Sequence, residues 1–523
     1  MKQIDINNIA PEKFAFVQAN VSLNDKMLKT KPVGYFKDAW RRFKKNKSSI
    51  VGMVIIVLLL LFAVFGPVFS RYKVSDFDGF YSNTLPKLFS DAGGFWDGTK
   101  KESSNKATYQ LRDAMGVESG RKAIVQTYGV KMVDNPVPGQ PKSMLYKYRY
   151  DTYNIIGYEL FELSANDYLA IQKYQKEHKI QILYPVCKAK EMFNSGDGNY
   201  WYKTYDKNAA DGSYRKGEAV LDENGKYQPI YDLSATDSIR NADGTTTPYD
   251  SLRIDGDDGS YRYARYNGSN GYYTVRVCYY NYYVYKNGFE PFFLFGANSL
   301  GQDMFVCIAS GTRLSLILAL GVAVINFIIG AIYGAIEGYY GGAADLIMER
   351  VSDILSGIPF MVAAILFKMH LAKSLGAIGA LLFTFVVTGW IGTASTVRMQ
   401  FYRYKNQEYV LAARTLGASD RRIIMKHIFP NALGTIVTSV ALFIPSVIFS
   451  ETSLSYLGVI SLSDPPKGII SLGTLLTAGQ TAIATYPHIM LFPSLVISLL
   501  MISFNMFGNG LRDAFNPSLR GSE

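Results

Sequence analysis

The scarcest reactive side chains in this 523-residue chain are three cysteines and four histidines. Their spacing gives them no joint chemistry. Cys187, Cys278 and Cys307 contain no C-x-x-C pair, which argues against a zinc site or a dithiol redox centre. His178, His370, His427 and His488 are scattered, with no nucleophile–base pattern around them, and each reads as structural. The one Gly-Lys pair, Gly225-Lys226, is followed by Tyr227 and lacks the glycine pattern of a phosphate loop. Asp206, Asn208, Asp211, Gly212 and Glu218 approximate a calcium loop but stand one residue out of step with it, so a turn is the better reading. The DGDDG stretch from Asp255 lacks the closing Glu. No catalytic residue and no metal site are expected. The side chains left to do chemistry are ionisable groups beside long apolar runs. Glu451 is a candidate for a translocation pathway. Lys368, His370 and Lys373 fit a headgroup level with no specific task.

Those runs are the positioning elements. The chain is 48% hydrophobic and 19% charged, and its apolar residues cluster while the middle is polar and Tyr-rich. A helix needs roughly 20 apolar residues to cross a bilayer. The chain offers six candidates: Ile50–Phe69, Leu314–Tyr333, Ile354–Phe367, Leu375–Val397, Leu433–Phe449 and Ile489–Phe507. Ser48 and Ser49 are plausible caps of the first, which reads as a retained signal anchor because no cleavage site follows it. The third is short and holds Pro359. Glycines recur in the later runs (Gly321, Gly330, Gly334, Gly376, Gly379, Gly389, Gly392), and small residues let membrane helices approach closely.

Lys and Arg flanks set the orientation. Lys37, Arg41, Arg42, Lys44, Lys45 and Lys47 precede the first run. Arg398, Arg403, Lys405, Arg414, Arg421, Arg422 and Lys426 lie between the fourth and fifth. Six spans place both clusters, and both termini, on the inside. The net charge of +11 is therefore topological and does not point to nucleic acid. Residues 71–300 then face outside, with 29 Lys and Arg against 28 Asp and Glu. That region is long enough to bury its own core. SANDYLAIQKYQKEHKI, from Ser164, reads as a capped amphipathic helix. Asn-Gly pairs at 224, 267, 270 and 287 are hairpin signals. YYTVRVCYYNYYVYKNG, from Tyr272, has strand propensity. The tyrosines suit either a docking surface or half-buried strand positions. Cys187 and Cys278 form a candidate disulfide if the region is exported.

The informative segment is EYVLAARTLGASDRRIIMKHIFPN, Glu408 to Asn431. It begins helical, turns at Gly417 and restarts at Ser419, with Asp420 in the first turn, where acid is favoured. Pro430 is expected to stop it before the fifth run. The pair would lie along the inner face, suited to docking a partner; a basic loop that only sets topology is the bland alternative. This segment resembles the EAA loop of ABC-importer permeases, in the dipeptide/oligopeptide/nickel branch. Ala412, Ala413, Gly417 and Pro430 match, while Leu411 falls at the family's Glu and Glu408 lies one turn earlier. Further stretches resemble the family in the same order. In GANSLGQDMFVCIASGTRLSL, Gly301, Asp303, Gly311, Arg313, Ser315 and Leu316 match, and Gln302 replaces an Arg. In GYYGGAADLIMERVSDILSGIPF the matches are Asp345, Arg350, Asp353 and Pro359, and Arg350 and Asp353 are spaced to pair on a helix. ETSLSYLGV from Glu451 and FNMFGNGLRDAFNPSLR from Phe504 complete the set, with Asn509 where Asp is usual. The ending resembles the second of two paired permeases.

The resemblance implies an all-α polytopic bundle of six transmembrane helices, the type I importer permease fold. To this is added an α+β extracellular domain inserted between helices 1 and 2. The expected organisation is a basic cytoplasmic segment 1–48, a first span 49–70, an insertion 71–295, a permease core 296–516 with a coupling loop 398–432, and a cytoplasmic tail 517–523. Glu408, Ala412, Ala413, Arg414, Gly417, Ala418, Ser419, Asp420, Arg421 and Pro430 would couple the bundle to ATPases. The implied partners are a second homologous permease, two cytoplasmic ATPases, an extracellular solute-binding protein and membrane lipids. ATP and Mg would be used by the ATPases, with no cofactor on this chain. The expected location is the plasma membrane and the cargo oligopeptides or dipeptides. Nickel or another small solute is an alternative, and a membrane-anchored receptor or sensor is a reading from another class.

Overall fold

The computed structural model describes residues 35–515 apart from 91, 135–141, 185–198, 200, 201, 208–213, 229–235, 241, 242, 244, 251, 256–259, 264 and 268–270. Five of its helices are long and apolar enough to cross a membrane. A short amphipathic helix α1 (Tyr35–Lys45) leads into the first of them, α2 (Lys47–Phe69). Its cap is Asn46, whose Oδ1 accepts from the Ser49 N–H at 3.3 Å, and not Ser48 or Ser49 as expected. The region that follows contributes helices α3 (Lys106–Ser119), α4 (Ala165–His178) and α5 (Tyr279–Asn287). Then come the long helix α6 (Met304–Tyr340), the shorter α7 (Gly342–Ser356), α8 (Phe360–Lys405) and α9 (Glu408–Thr415). The chain closes with α10 (Asp420–Tyr456), α11 (Leu472–Gln480) and α12 (His488–Phe515).

The third and fourth expected runs are one helical element, α8, which doubles back. A straight 46-residue helix would be about 69 Å long, over twice the roughly 30 Å hydrocarbon thickness. Gly376 breaks it with φ 74° and ψ 169°, a conformation open to glycine. The limbs then touch: Phe360 and Phe385 ring centroids lie 4.9 Å apart, where a straight helix would separate them by about 37 Å. Phe367 meets Phe383 at 5.0 Å. Ile354 belongs to α7, and Pro359 is the residue before α8, so the expected third run began too early.

Close packing in the bundle follows from glycines four residues apart. A Cβ on Gly334 would lie 2.2 Å from the Ala394 carbonyl oxygen, and one on Gly338 would lie 2.7 Å from the Phe401 Cβ. With Gly330 they form a stripe on α6 against which the second limb of α8 lies backbone to backbone, as small residues permit in membranes. Contacts also sort the helix ends. Asn46 bonds Asp513 at 3.3 Å, while Ala39 and Phe43 of α1 pack on Ala514. The starts of α2 and α10 and the ends of α6, α8 and α12 therefore share one face of the bundle, and the insertion crowns the other.

Within the insertion β1 (Thr99–Ser104), β2 (Ile124–Val133) and β3 (Ser143–Asp151) form an antiparallel sheet of order β1-β3-β2. A second sheet pairs β4 (Tyr158–Ser164) and Arg265–Asn267 with the central strand Tyr272–Cys278, which also takes Leu183–Tyr184. The expected helix from Ser164 is α4, with the Ser164 hydroxyl accepting from the Asp167 N–H at 3.2 Å. The expected long strand from Tyr272 is half helix. It turns at Cys278 into α5, and Asn287-Gly288 is that helix's C-terminus, with Gly288 at φ 75°, not a hairpin. Tyr148, Tyr153, Tyr158 and Tyr202 are fully buried, so these tyrosines build the core and not a docking face. Arg276 and Glu118 are buried together in a bidentate pair at 2.9 and 2.6 Å, with the Tyr158 ring 4.0 Å from the guanidinium. Cys278 is a free buried thiol, and Cys187 lies outside the described residues. Asp206 sits in a strand (Lys203–Lys207) paired with Tyr214–Ala219, while Asn208, Asp211, Gly212 and the 256–259 part of DGDDG lie outside the described residues.

Candidate functional site

Helix α9 ends because Gly417 lets the backbone turn left-handed, at φ 81°. Its N–H then reaches the Arg414 carbonyl at 3.0 Å and that of Ala418 reaches Ala413 at 3.0 Å. This paired closure satisfies carbonyls a helix end would otherwise leave open. Glu408 opens α9, where an acid suits the helix dipole. Val410 is fully buried among Phe401, Ile423 and Ile428. Tyr409, Leu411, Leu416 and Met425 are exposed, Leu416 at 87%. Ala412, Arg414, Ser419, Asp420, Arg421 and Pro430 are exposed as well, and Ala413 and Ala418 half-buried. Nine of the ten expected coupling residues, Glu408 to Arg421, thus lie on a small helical tip made of α9, the turn after it and the start of α10, beside an apolar, solvent-facing crest, while Pro430 lies ten residues into α10. Leu411, at the family's Glu position, belongs to that crest.

Two expectations for this segment change. Ser419 precedes the next helix in an extended conformation but makes no capping bond. Pro430 does not stop the helix: α10 runs from Asp420 to Tyr456 through a π-helical turn at Ile423–Ile428. A proline has no N–H and its ring crowds the carbonyl four residues back. The wider π turn relieves that crowding, and the helix continues.

The tip is fastened to the bundle through Tyr339, a residue not singled out from sequence. Tyr339, near the end of α6, donates to Asp420 Oδ1 at 2.5 Å, and Arg414 approaches its hydroxyl at 3.4 Å. One turn away Arg398 of α8 spans two carboxylates of α7. It reaches Asp345 at 2.6 and 2.9 Å and Glu349 at 3.0 and 3.1 Å, with Glu337 of α6 at 3.6 Å. Tyr402 donates to Asp345 at 2.6 Å. The hydrogen bonds from Arg398 hold the Asp345 carboxyl below its ordinary range. Arg398 counted in the sequence only as a positive flank, and only the recurrence of Asp345 in a familiar stretch hinted at its partner. The expected Arg350–Asp353 pair is present at 3.0 Å, on an exposed face.

Glu451 lies between α6 and α10 and is 1% exposed. Ser315 donates to its Oε2 at 3.1 Å and Ser455 to its Oε1 at 3.2 Å. It is a bonded carboxyl inside the helix contact in this conformation. Lys368 donates to the Val459 carbonyl, whereas His370 and Lys373 are exposed. At the insertion end Gln302, standing where the family has Arg, is buried and donates to the Val74 carbonyl at 2.5 Å. It ties the first residues after α2 to the entry of α6. No cluster of His, Cys, Asp and Glu fit for a metal occurs among the described residues.

Residues 327–521 match the model of the binding-protein-dependent transport system inner membrane components. Residues 34–86 match that of the N-terminal transmembrane domain of oligopeptide transport permease C. The oligopeptide transport system permease protein OppC of Bacillus subtilis is 42% identical over 226 residues, 43% of this chain and 72% of that protein. The dipeptide transport system permease protein DppC of the same organism is 40% identical over 227 residues, 43% of this chain and 69% of its own length. A solved structure of the MetNI methionine ABC transporter in an inward-facing conformation covers 40% of this chain and 97% of its own, at 16% identity and TM-score 0.32. Neither family model reaches residues 87–326.

Proposed function

The chain belongs to the binding-protein-dependent inner membrane transport components, and from that footing we propose that its cargo is oligopeptides or dipeptides. It is a multi-pass membrane protein and a permease subunit of an ATP-binding-cassette importer. Peptide cargo is the reading favoured by relatives named for oligopeptide and dipeptide transport, each covered over more than two thirds of its length. The chain pairs with a second permease, two ATPases that use ATP and Mg, and a solute-binding protein. It carries no catalytic step of its own.

α8 crosses the membrane twice, as its reversal at Gly376 suggests, giving six crossings. Both ends of the chain then lie on the cytoplasmic side, with the basic flanks. The insertion is an α+β domain on the extracellular face. The observation that carries the coupling role is the crest of Leu411, Leu416 and Met425, held off the bundle on α9 and α10 and pinned beneath by Tyr339. An apolar crest on a rigid helix is suited to a groove on an ATPase. Motion of the ATPases would enter α6 and α10 there, driving alternating access.

Leu416→Asp tests this reading. A charge placed in a desolvated contact costs several kcal/mol, and each 1.4 kcal/mol is about tenfold in affinity. Recovery of the ATPases with the tagged chain should fall about tenfold or more while the second permease still copurifies. Undiminished ATPase recovery with full peptide uptake would overturn the coupling role.

A further inference from the structure

Loop 85–98 of the insertion carries apolar side chains that face outward. Phe95 is 66% exposed, Leu88 48% and Phe89 48%, and the Phe89 and Phe95 rings stack at 6.4 Å. The loop's place in the fold limits what can meet them. Trp96 lies 5.5 Å from Phe492, in the second turn of α12, and 6.2 Å from Phe295. Phe295 continues to Phe305 at the start of α6, and Phe305 to Phe62 inside α2. The Phe89–Phe95 pair therefore tops a run of aromatic contacts that descends into three apolar helices. Beside Phe492 the residues Leu491 and Leu495 of α12 are exposed in turn, at 57% and 50%. The loop thus packs through Trp96 onto the second turn of a candidate span, at the level where the span begins and where its own leucines are exposed.

Much of the described backbone of the loop is hydrogen-bonded to protein. The N–H groups of Leu88 and Phe89 both reach the Trp96 carbonyl, those of Lys87 and Gly98 reach Phe293 and Pro86, and that of Gly94 reaches an Asp97 carboxylate oxygen. Trp96 holds φ 51°, unusual for a bulky residue, and its indole N–H donates to the Leu294 carbonyl at 2.5 Å. Unpaired backbone groups are costly near hydrocarbon, and these are paired. Aromatic side chains concentrate at the membrane–water interface.

We infer that loop 85–98 is an interfacial anchor, with Phe89 and Phe95 inserted into the extracellular leaflet so that the insertion rests on the lipid surface. The occupant is bilayer lipid, and the anchor rests on the transmembrane reading of the bundle, α2 included. It fixes how the insertion stands over the bundle.

The test is spin-label accessibility in the purified complex reconstituted into phosphatidylcholine vesicles. Labels are placed at Phe95→Cys, at Leu58→Cys in α2 and at Met132→Cys on β2, in a Cys187→Ser background. The ratio of oxygen to nickel-chelate collision rises where a label sits in lipid. The Phe95 label should give a ratio several-fold above that of Met132 and below that of Leu58. A Phe95 ratio equal to that of Met132, or a label shielded from both reagents and so covered by protein, overturns the anchor. A low ratio at Leu58 would instead remove the transmembrane reading itself, so the two failures are distinguishable.

Discussion

Arg398 satisfies two carboxylates of one short helix with a single guanidinium, and the charges are set for neutral pH. Asp345 is held below its usual range, so its folded form prefers the anion more than its unfolded form does. Its stabilisation is complete above the unfolded carboxyl value of about 3.9 and is lost as pH falls through the lower folded value. Asp345→Asn should lower the melting temperature of the purified complex at pH 7, and the difference from wild type should shrink below about pH 4. A pH-independent difference would show that the ion pair is not its source. Gly334 is constrained by space. Gly334→Val would drive a side chain into the Ala394 carbonyl, so a loss of about 1–3 kcal/mol is expected in thermal unfolding. Gly330 and Gly334 were legible as packing glycines because the spacing is visible in the chain. Arg398 was legible only as a charge, because its partners lie 49 and 53 residues away and nothing local marks them.

Among the elements, long apolar runs were readable because hydrophobicity alone commits about 20 residues to a helix in lipid. Their ends were not. Ile354 reads as part of a span because α7 is itself apolar on one face, and only Pro359 marks the break between it and α8. The stretch from Tyr272 has strand propensity because aromatic residues favour strands, yet Tyr279, Tyr280 and Tyr283 are buried as one face of α5. Tertiary burial outweighed a propensity spanning about 1 kcal/mol. At Pro430 the sequence rule for helix termination met a helix anchored at both ends, and a π turn absorbed the proline. Pro430→Ala restores the missing N–H and removes the ring, so α10 should become more stable by about 1–3 kcal/mol. A π turn at a working joint predicts that the same change lowers peptide uptake per ATP hydrolysed. Higher stability with unchanged coupling would mark the turn as mere accommodation.

For the whole molecule, the membrane core is the readable half and the insertion the less readable one, since its central strand Tyr272–Cys278 pairs with Tyr158–Ser164, far away in sequence. The insertion is seated through residues near its two ends. Gln302 bonds Val74, His488 faces Ala297 at 3.2 Å, and Trp96 rests on Phe492. Removing residues 100–285 and bridging the gap with a flexible linker keeps the residues of these three contacts, while Tyr153 and Tyr279, which bond Leu85 and Asp78, leave with the deleted part. ATPase copurification is expected to persist while uptake dependent on the binding protein falls; unchanged uptake would exclude a role in delivery. The bundle below has a mechanical property of its own. α6 and α10 are riveted twice, by Tyr339 to Asp420 at one end and Ser315 to Glu451 at the other. The rivets stand about 36 Å apart along α6 and about 46 Å apart along α10. Two fastened points resist sliding between the helices, so a push delivered at Asp420 is expected to turn both together, with the shear it generates taken up at the hinges around them.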